Sequence, residues 1–151
     1  MSNDLAARPR AGKRAAPVAM ASPGRTVSFR PLPSKLLVRL RVLPHRAQRY
    51  DTEGDWIWHD QTLEIRISRE VGEHDPRYGV LLFVHELIEA LLCRADGITT
   101  ACVDAFDLAY PGADPGEDPA APYHRQHMSA EAAERALADY LGIDWQDYLG
   151  R

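Results

Sequence analysis

Residues 84–93 read VHELIEALLC, an apolar run that contains three ionisable side chains. His85 and Glu86 are neighbours, and Glu89 follows them by about one helical turn. Burying such groups is costly unless something compensates them, and the choices are a metal ion, a salt-bridge network or solvent on one face. This stretch therefore decides how the surrounding helix packs and which chemistry it supports.

The segment around this run predicts a helix over residues 78–95 that stops at Gly97. Because side chains four apart share a helix face, we expect His85 above Glu89, with Glu86 about 100° away around the axis. The opposite face is apolar and is expected to enter the core through Val80, Val84, Leu87 and Leu91. The result is a helix that is apolar nearly all round, with a small polar window.

That window has the pattern of a metal-binding helix. Two ligands lie at positions i and i+4, with a carboxylate beside them that is free to take a proton from metal-bound water. A divalent cation would compensate Glu89 and fix the His85 imidazole at the same time. Two ligands do not complete a site, so a third has to come from another part of the chain.

The source we expect for the third ligand is a helix over residues 123–141. Its predicted inward stripe consists of Tyr123, His127, Ala130, Glu134, Leu137 and Leu141. His127 is therefore favoured as the third metal ligand, whereas His124, about 60° off the stripe, is expected at the rim or behind the ligands. Glu134 is an alternative that could orient a ligand or replace one, and Glu131 is a weaker candidate.

The motif at residues 85–89, His-Glu-Leu-Ile-Glu, resembles the His-Glu-x-x-His signature of the zincin metallopeptidases. Glu89 stands where that family has its second histidine. The resemblance implies that His85, Glu89 and His127 hold zinc and that Glu86 is the general base of a metal-dependent peptidase or amidohydrolase. It further implies a peptide or amide substrate and a small domain in which an alternating strand precedes the metal helix.

The carboxylate at position 89 makes the ligand set harder and more anionic, which shifts the metal preference toward Mn²⁺ or Fe²⁺. Two histidines and one glutamate are still a set that catalytic Zn²⁺ uses, so Zn²⁺ is the expected cofactor. From residue 62 onward the chain is also similar to short uncharacterised phage and prophage proteins. The alternative function is accordingly a non-catalytic, metal-stabilised binding or accessory protein of phage or mobile-element origin.

A third interpretation needs no metal. In it the helix is a surface helix whose Glu86 and Glu89 pair with arginines, the candidates being Arg94, Arg125 and Arg135.

The two cysteines, Cys93 and Cys102, are too few for a disulfide framework and predict a reducing, cytoplasmic location. Cys93 lies four residues beyond Glu89 and could act as a ligand, although a small core residue is the favoured interpretation.

The rest of the sequence predicts an α+β fold, a small mostly antiparallel sheet followed by three helices, similar to a minimal zincin. Alternation over residues 35–43 indicates a half-buried strand, and residues 55–68 read as a hairpin. After a polar connection come the metal helix, a shorter helix over residues 99–110 and the last helix over residues 122–141.

Charge divides the chain into two parts. Residues 1–50 hold eleven Lys/Arg and one acidic residue, whereas residues 51–151 hold seven Lys/Arg and twenty-one acidic residues. We therefore expect a flexible basic arm over residues 1–27, able to contact nucleic acid or a partner, and one acidic domain over residues 28–151. No apolar run is long enough to span a membrane, so no membrane span is expected.

Overall fold

The chain forms a small sheet first and a group of helices second. The computed structural model describes residues 31–112 and 114–150, so the predicted arm over residues 1–27 lies outside the described part. The strands are β1 (Leu37–Leu43), β2 (Gly54–His59) and β3 (Thr62–Ser68). The helices are α1 (Val71–His74), α2 (Pro76–Asp96), α3 (Thr100–Asp107), α4 (His124–Leu141) and α5 (Trp145–Leu149). The α+β class expected from the sequence is confirmed.

The sheet is mixed, with the strand order β1-β3-β2. β2 and β3 form the predicted antiparallel hairpin, and Asp60 takes a left-handed φ of 52° in its turn. β1 instead pairs with β3 in parallel, which corrects the expectation of a mostly antiparallel sheet. Residues 44–53 connect β1 to the far edge strand, so β3 returns between the two and runs in the same direction as β1.

The three predicted helices correspond to α2, α3 and α4, and two short helices add to them. α1 lies in the segment expected to be a polar connection, and α5 lies in the C-terminal tail. Gly97 and Gly142 end α2 and α4 in left-handed conformations, with φ values of 78° and 65°. Among the described helices, none is both long and apolar enough to cross a membrane.

The buried face of α2 differs from the predicted one. Val80 is 49% exposed, and Val84, Leu87 and Leu91 are only partly buried. The buried face is the one that carries the polar window and includes Leu81, Leu82, His85, Glu86, Glu89, Ala90 and Cys93. The reason is that α2 packs against β2 and β3 on one side and α4 on another, and the polar window lies between these contacts.

β1 is an edge strand that the helices leave uncovered. Its apolar residues Val38, Leu40 and Val42 are 37%, 44% and 50% exposed, so the expected half-buried strand is exposed on both faces. The core forms instead between α2 and β3, whose Leu63 and Ile65 are fully buried.

Candidate metal centre

Three ligand atoms meet between α2 and α4: Nε2 of His85, Oε2 of Glu89 and Nδ1 of His127. The Glu89 oxygen lies 2.9 Å from the His127 nitrogen and 3.5 Å from the His85 nitrogen. The two nitrogens are 3.3 Å apart. In a tetrahedral complex with metal–ligand bonds of about 2.0–2.1 Å, ligand atoms lie about 3.3 Å from one another. The three atoms therefore have the spacing of one face of a tetrahedral site and could hold a metal ion.

The position of the group follows from the two helices. His85 and Glu89 lie one turn apart on α2, and His127 lies in the first turn of α4, which packs along α2. The three side chains are only 9%, 7% and 12% exposed, respectively. The structure thus brings together the three residues that helical phase favoured.

The outward nitrogen of His85 is held by a buried carboxylate. His85 Nδ1 donates to Oε2 of Glu134 over 2.9 Å, and the other Glu134 oxygen accepts a hydrogen bond from the Tyr148 hydroxyl. Such a carboxylate behind a histidine fixes the ring orientation and leaves Nε2 free to bind a metal. Glu134 accordingly takes the orienting position that the sequence left as an alternative, and α5 supports it.

The outward atoms of the other two candidate ligands also face polar groups. The indole N–H of Trp56 on β2 donates to Oε1 of Glu89 over 2.8 Å, which leaves Oε2 directed at the two histidines. Nε2 of His127 lies 3.7 Å from a carboxylate oxygen of Asp114. In each candidate ligand, one atom therefore faces the position of a metal ion, and a second atom faces a polar group of the protein.

Electrostatics show how the group is balanced without a cation. Burial disfavours a charged His85, but hydrogen bonds to Glu134 and Glu89 outweigh it and raise the pKa of His85 to about 11. Burial likewise disfavours ionised Glu89, yet contacts with His127 and His85 lower its pKa to about 2. The positive charge of protonated His85 therefore compensates the buried carboxylates. A bound metal ion would supply positive charge in its place.

Glu86 lies beside this group in a different environment. Its side chain lines the same cavity of about 790 Å³ and is 8% exposed. Burial, together with the neighbouring Glu89 carboxylate, raises the pKa of Glu86 well above its usual value despite the opposing effect of His85. Within the described part of the chain, its carboxylate accepts no hydrogen bond, so it remains available to a ligand in the cavity.

Gly54, at the start of β2, provides the room for that carboxylate. A Cβ atom at this position would lie 2.1 Å from Oε1 of Glu86, far inside van der Waals contact. Gly116 packs in the same way on His127, where an added Cβ would lie 2.3 Å from Nδ1. Backbone therefore approaches both side chains closely, as only glycine permits.

His124 does not join the ligand group. Its Nδ1 donates to the carbonyl oxygen of Gly116 over 2.9 Å, which ties the 3₁₀ turn at Pro115–Glu117 to the start of α4. Glu131 lines the cavity but also lies outside the three-residue group.

The surface-helix interpretation predicted that arginine side chains form ion pairs with Glu86 and Glu89. The three candidates contact other groups: Arg94 the Trp58 ring, Arg125 the Asp96 carboxylate and Arg135 the Trp145 ring. Cys93 is fully buried in the apolar core, and burial raises the pKa of its thiol, as expected for a packing residue.

Sequence reasoning missed the groups that surround the ligands. Trp56, Asp114 and Tyr148 come from a strand, a loop and the last helix, and no spacing in the sequence relates them to the metal motif. The same is true of Asp107, which lines the cavity and accepts a hydrogen bond from the Tyr123 hydroxyl.

The chain matches no family model, no curated protein and no solved structure.

Proposed function

We propose that this chain is a metal-dependent hydrolase in which His85, Glu89 and His127 bind zinc and Glu86 is the general base. The observation that supports this most is the tetrahedral spacing of the three inward ligand atoms, at 2.9, 3.3 and 3.5 Å. Two histidines and one glutamate are a ligand set that catalytic zinc uses. The second glutamate, Glu86, would then remain free for proton transfer.

The substrate we propose is a peptide or another amide. A zinc ion in such a site polarises a carbonyl group and makes water a better nucleophile. Glu86 would take the proton of the attacking water, and a carboxyl group with a raised pKa is suited to accept and return a proton near neutral pH. Glu134 would keep the His85 ring in place throughout, because it bonds the nitrogen that faces away from the metal.

Metal analysis of the purified full-length chain tests the centre. We expect about one zinc ion per chain in the wild type and loss of most of it in His85→Ala and His127→Ala, because each removes one of three protein ligands. His124→Ala is the matched control and should keep its zinc, because His124 bonds the Gly116 backbone instead. A metal-free wild type, or equal loss in the control, would contradict the proposed centre.

Glu86→Gln separates catalysis from metal binding. The variant should keep its zinc and lose cleavage of a peptide library by about 10²–10⁴-fold, because an amide cannot accept the proton. Mass spectrometry of the products, with metal content measured on the same samples, provides the readout. Equal cleavage by the variant, or no cleavage by the zinc-loaded wild type, would count against a hydrolase.

The second candidate function is a metal-stabilised binding protein without turnover. The contacts of the centre favour it as the alternative, because they join β2 through Trp56, α2 through the metal motif, α4 through His127 and α5 through Tyr148. A metal ion held there would brace these elements whether or not Glu86 acts as a base.

A further inference from the structure

The cavity beside the candidate metal centre is strongly acidic. Ten of the side chains that line it are Asp or Glu, and among the described residues none of the lining side chains is Lys or Arg. A divalent ion bound by Glu89 and the two histidines would leave most of these carboxylates uncompensated. Low-dielectric walls lined by charges of one sign focus the potential and attract ligands of the opposite sign.

Some of these carboxylates already have partners. His85 contacts Glu89 and Glu134, and His127 contacts Glu89 and Asp114. Arg49, just outside the lining, bonds Asp55. These groups serve the metal centre and the adjoining loop.

Glu86 and Asp107 both line the cavity, and among the described residues neither forms an ion pair with a Lys or Arg side chain. Glu86 is 8% exposed and accepts no hydrogen bond from the described residues, so a buried carboxylate without a donor lines the cavity. Asp107 accepts a hydrogen bond from the Tyr123 hydroxyl, which fixes its orientation without compensating its charge. Tyr123 is itself only 3% exposed, so the hydroxyl group that orients Asp107 comes from a buried side chain. Buried carboxylates that no Lys or Arg side chain pairs with point to a ligand that carries a positive charge.

We propose that the cavity recognises a cationic group of its substrate, such as an arginine or lysine side chain of a peptide, and that Asp107 is the carboxylate that binds it. The proposal rests on the proposed function, since it names the substrate class of that hydrolase. Burial raises the pKa of Asp107 to about 6, so the group is ionised at pH 7.5 and able to pair with a cation.

Binding of two matched peptides to the zinc-loaded full chain tests this inference. The probes are fluorescein-labelled tetra-arginine and tetra-citrulline, which have nearly the same shape but differ in charge, and the readout is fluorescence anisotropy at pH 7.5. We expect tetra-arginine to bind at least about tenfold more tightly, as a charge-assisted hydrogen bond would give.

Asp107→Asn assigns the effect to one residue. It should lose about tenfold in tetra-arginine affinity, while the amide oxygen can still accept the Tyr123 hydrogen bond and preserve the fold. Asp139→Asn on the exposed side of α4 carries the same charge change away from the cavity and should bind like the wild type. Tyr123→Phe keeps the carboxylate, removes its positioning hydroxyl and should weaken binding about threefold.

Equal binding of the two peptides, or equal loss in Asp107→Asn and Asp139→Asn, would overturn the inference. A second zinc ion that binds in the cavity and displaces tetra-arginine would also overturn it, since the carboxylates would then be metal ligands. Failure of the proposed function gives a different pattern. A chain that retains no zinc but still prefers arginine through Asp107 refutes the metal centre and supports the cationic site.

Discussion

His85 and Glu89 form a buried pair whose charge can be balanced in two ways. Without a metal ion, hydrogen bonds to Glu134 and Glu89 raise the pKa of His85 to about 11, and the protonated ring compensates its neighbours. With a metal ion, the ring has to be neutral because its Nε2 lone pair is the ligand. A bound metal ion and a proton would therefore compete for the same residue, so the affinity for a metal is expected to depend on pH.

We predict that zinc affinity rises with pH. Between pH 6 and 9 the metal-free ring stays protonated, because its pKa of about 11 lies above that range. Each unit of pH then makes loss of this proton about tenfold easier, and the apparent affinity should rise about tenfold per unit. Calorimetry in buffers with different ionisation enthalpies should show about one proton released per zinc ion from His85.

Glu86, whose pKa is also raised, can add to that proton release, and Glu86→Gln removes its share. An affinity that does not change with pH would show that His85 is already neutral in the metal-free protein.

At the scale of elements, the decisive feature is how closely β2 approaches α2. Gly54, the first residue of β2, packs against the Glu86 carboxylate. Trp56, two positions later, donates a hydrogen bond to Glu89. The two glutamates thus lie in different environments. Contacts with His127, His85 and Trp56 lower the pKa of Glu89, whereas burial and the neighbouring Glu89 carboxylate raise the pKa of Glu86. Two carboxyl groups three residues apart therefore differ in pKa, which suits the separate roles proposed for them as metal ligand and as base.

Gly54→Ala should disturb Glu86 and leave the metal in place. Its Cβ would lie 2.1 Å from Oε1 and 2.6 Å from Cδ of the buried Glu86 side chain, so we expect a loss of about 1–3 kcal/mol in the free energy of unfolding. Chemical denaturation with and without zinc measures this loss. Gly72→Ala in α1 is the control, because an added Cβ there meets nothing within 4 Å.

A double variant that adds Glu86→Ala should recover most of the loss, since it removes the side chain that clashes. An additive cost in the double variant would mean that the effect of Gly54→Ala arises elsewhere.

At the scale of the whole molecule, the site depends on contacts between distant segments. His127 lies 38 positions after Glu89, and Glu134 lies 49 positions after His85. Arg49 adds a further long-range contact, because it bonds Asp104 in α3, 55 positions further along the chain. The same side chain also bonds Asp55 at the start of β2. Asp55 and the three candidate ligands all line the acidic cavity.

Local patterns predicted much of this arrangement. The hairpin, the three main helices and their terminal glycines follow from alternation, capping and backbone freedom, which act within a few residues. Helical phase also separated His127 from His124 correctly, because the angle between side chains on one helix is fixed by its geometry. The buried face of α2 was predicted wrongly, since apolar side chains surround that helix and no sequence pattern says which of them a neighbour will cover.

What the sequence by itself determined was the α+β class and the helix faces on which His85, Glu89 and His127 lie, because short-range periodicity specifies both. Only the tertiary structure decided that β1 pairs in parallel and that VHELIEALLC turns its polar window inward. It also decided that Trp56 and Glu134 bond the candidate ligands from behind and that Tyr148 bonds Glu134. The acidic cavity, and the place of Asp107 in it, were likewise decided only by the tertiary structure. The physical reason is that compensation of buried charge is a property of three-dimensional neighbours, which the order of residues along the chain does not specify.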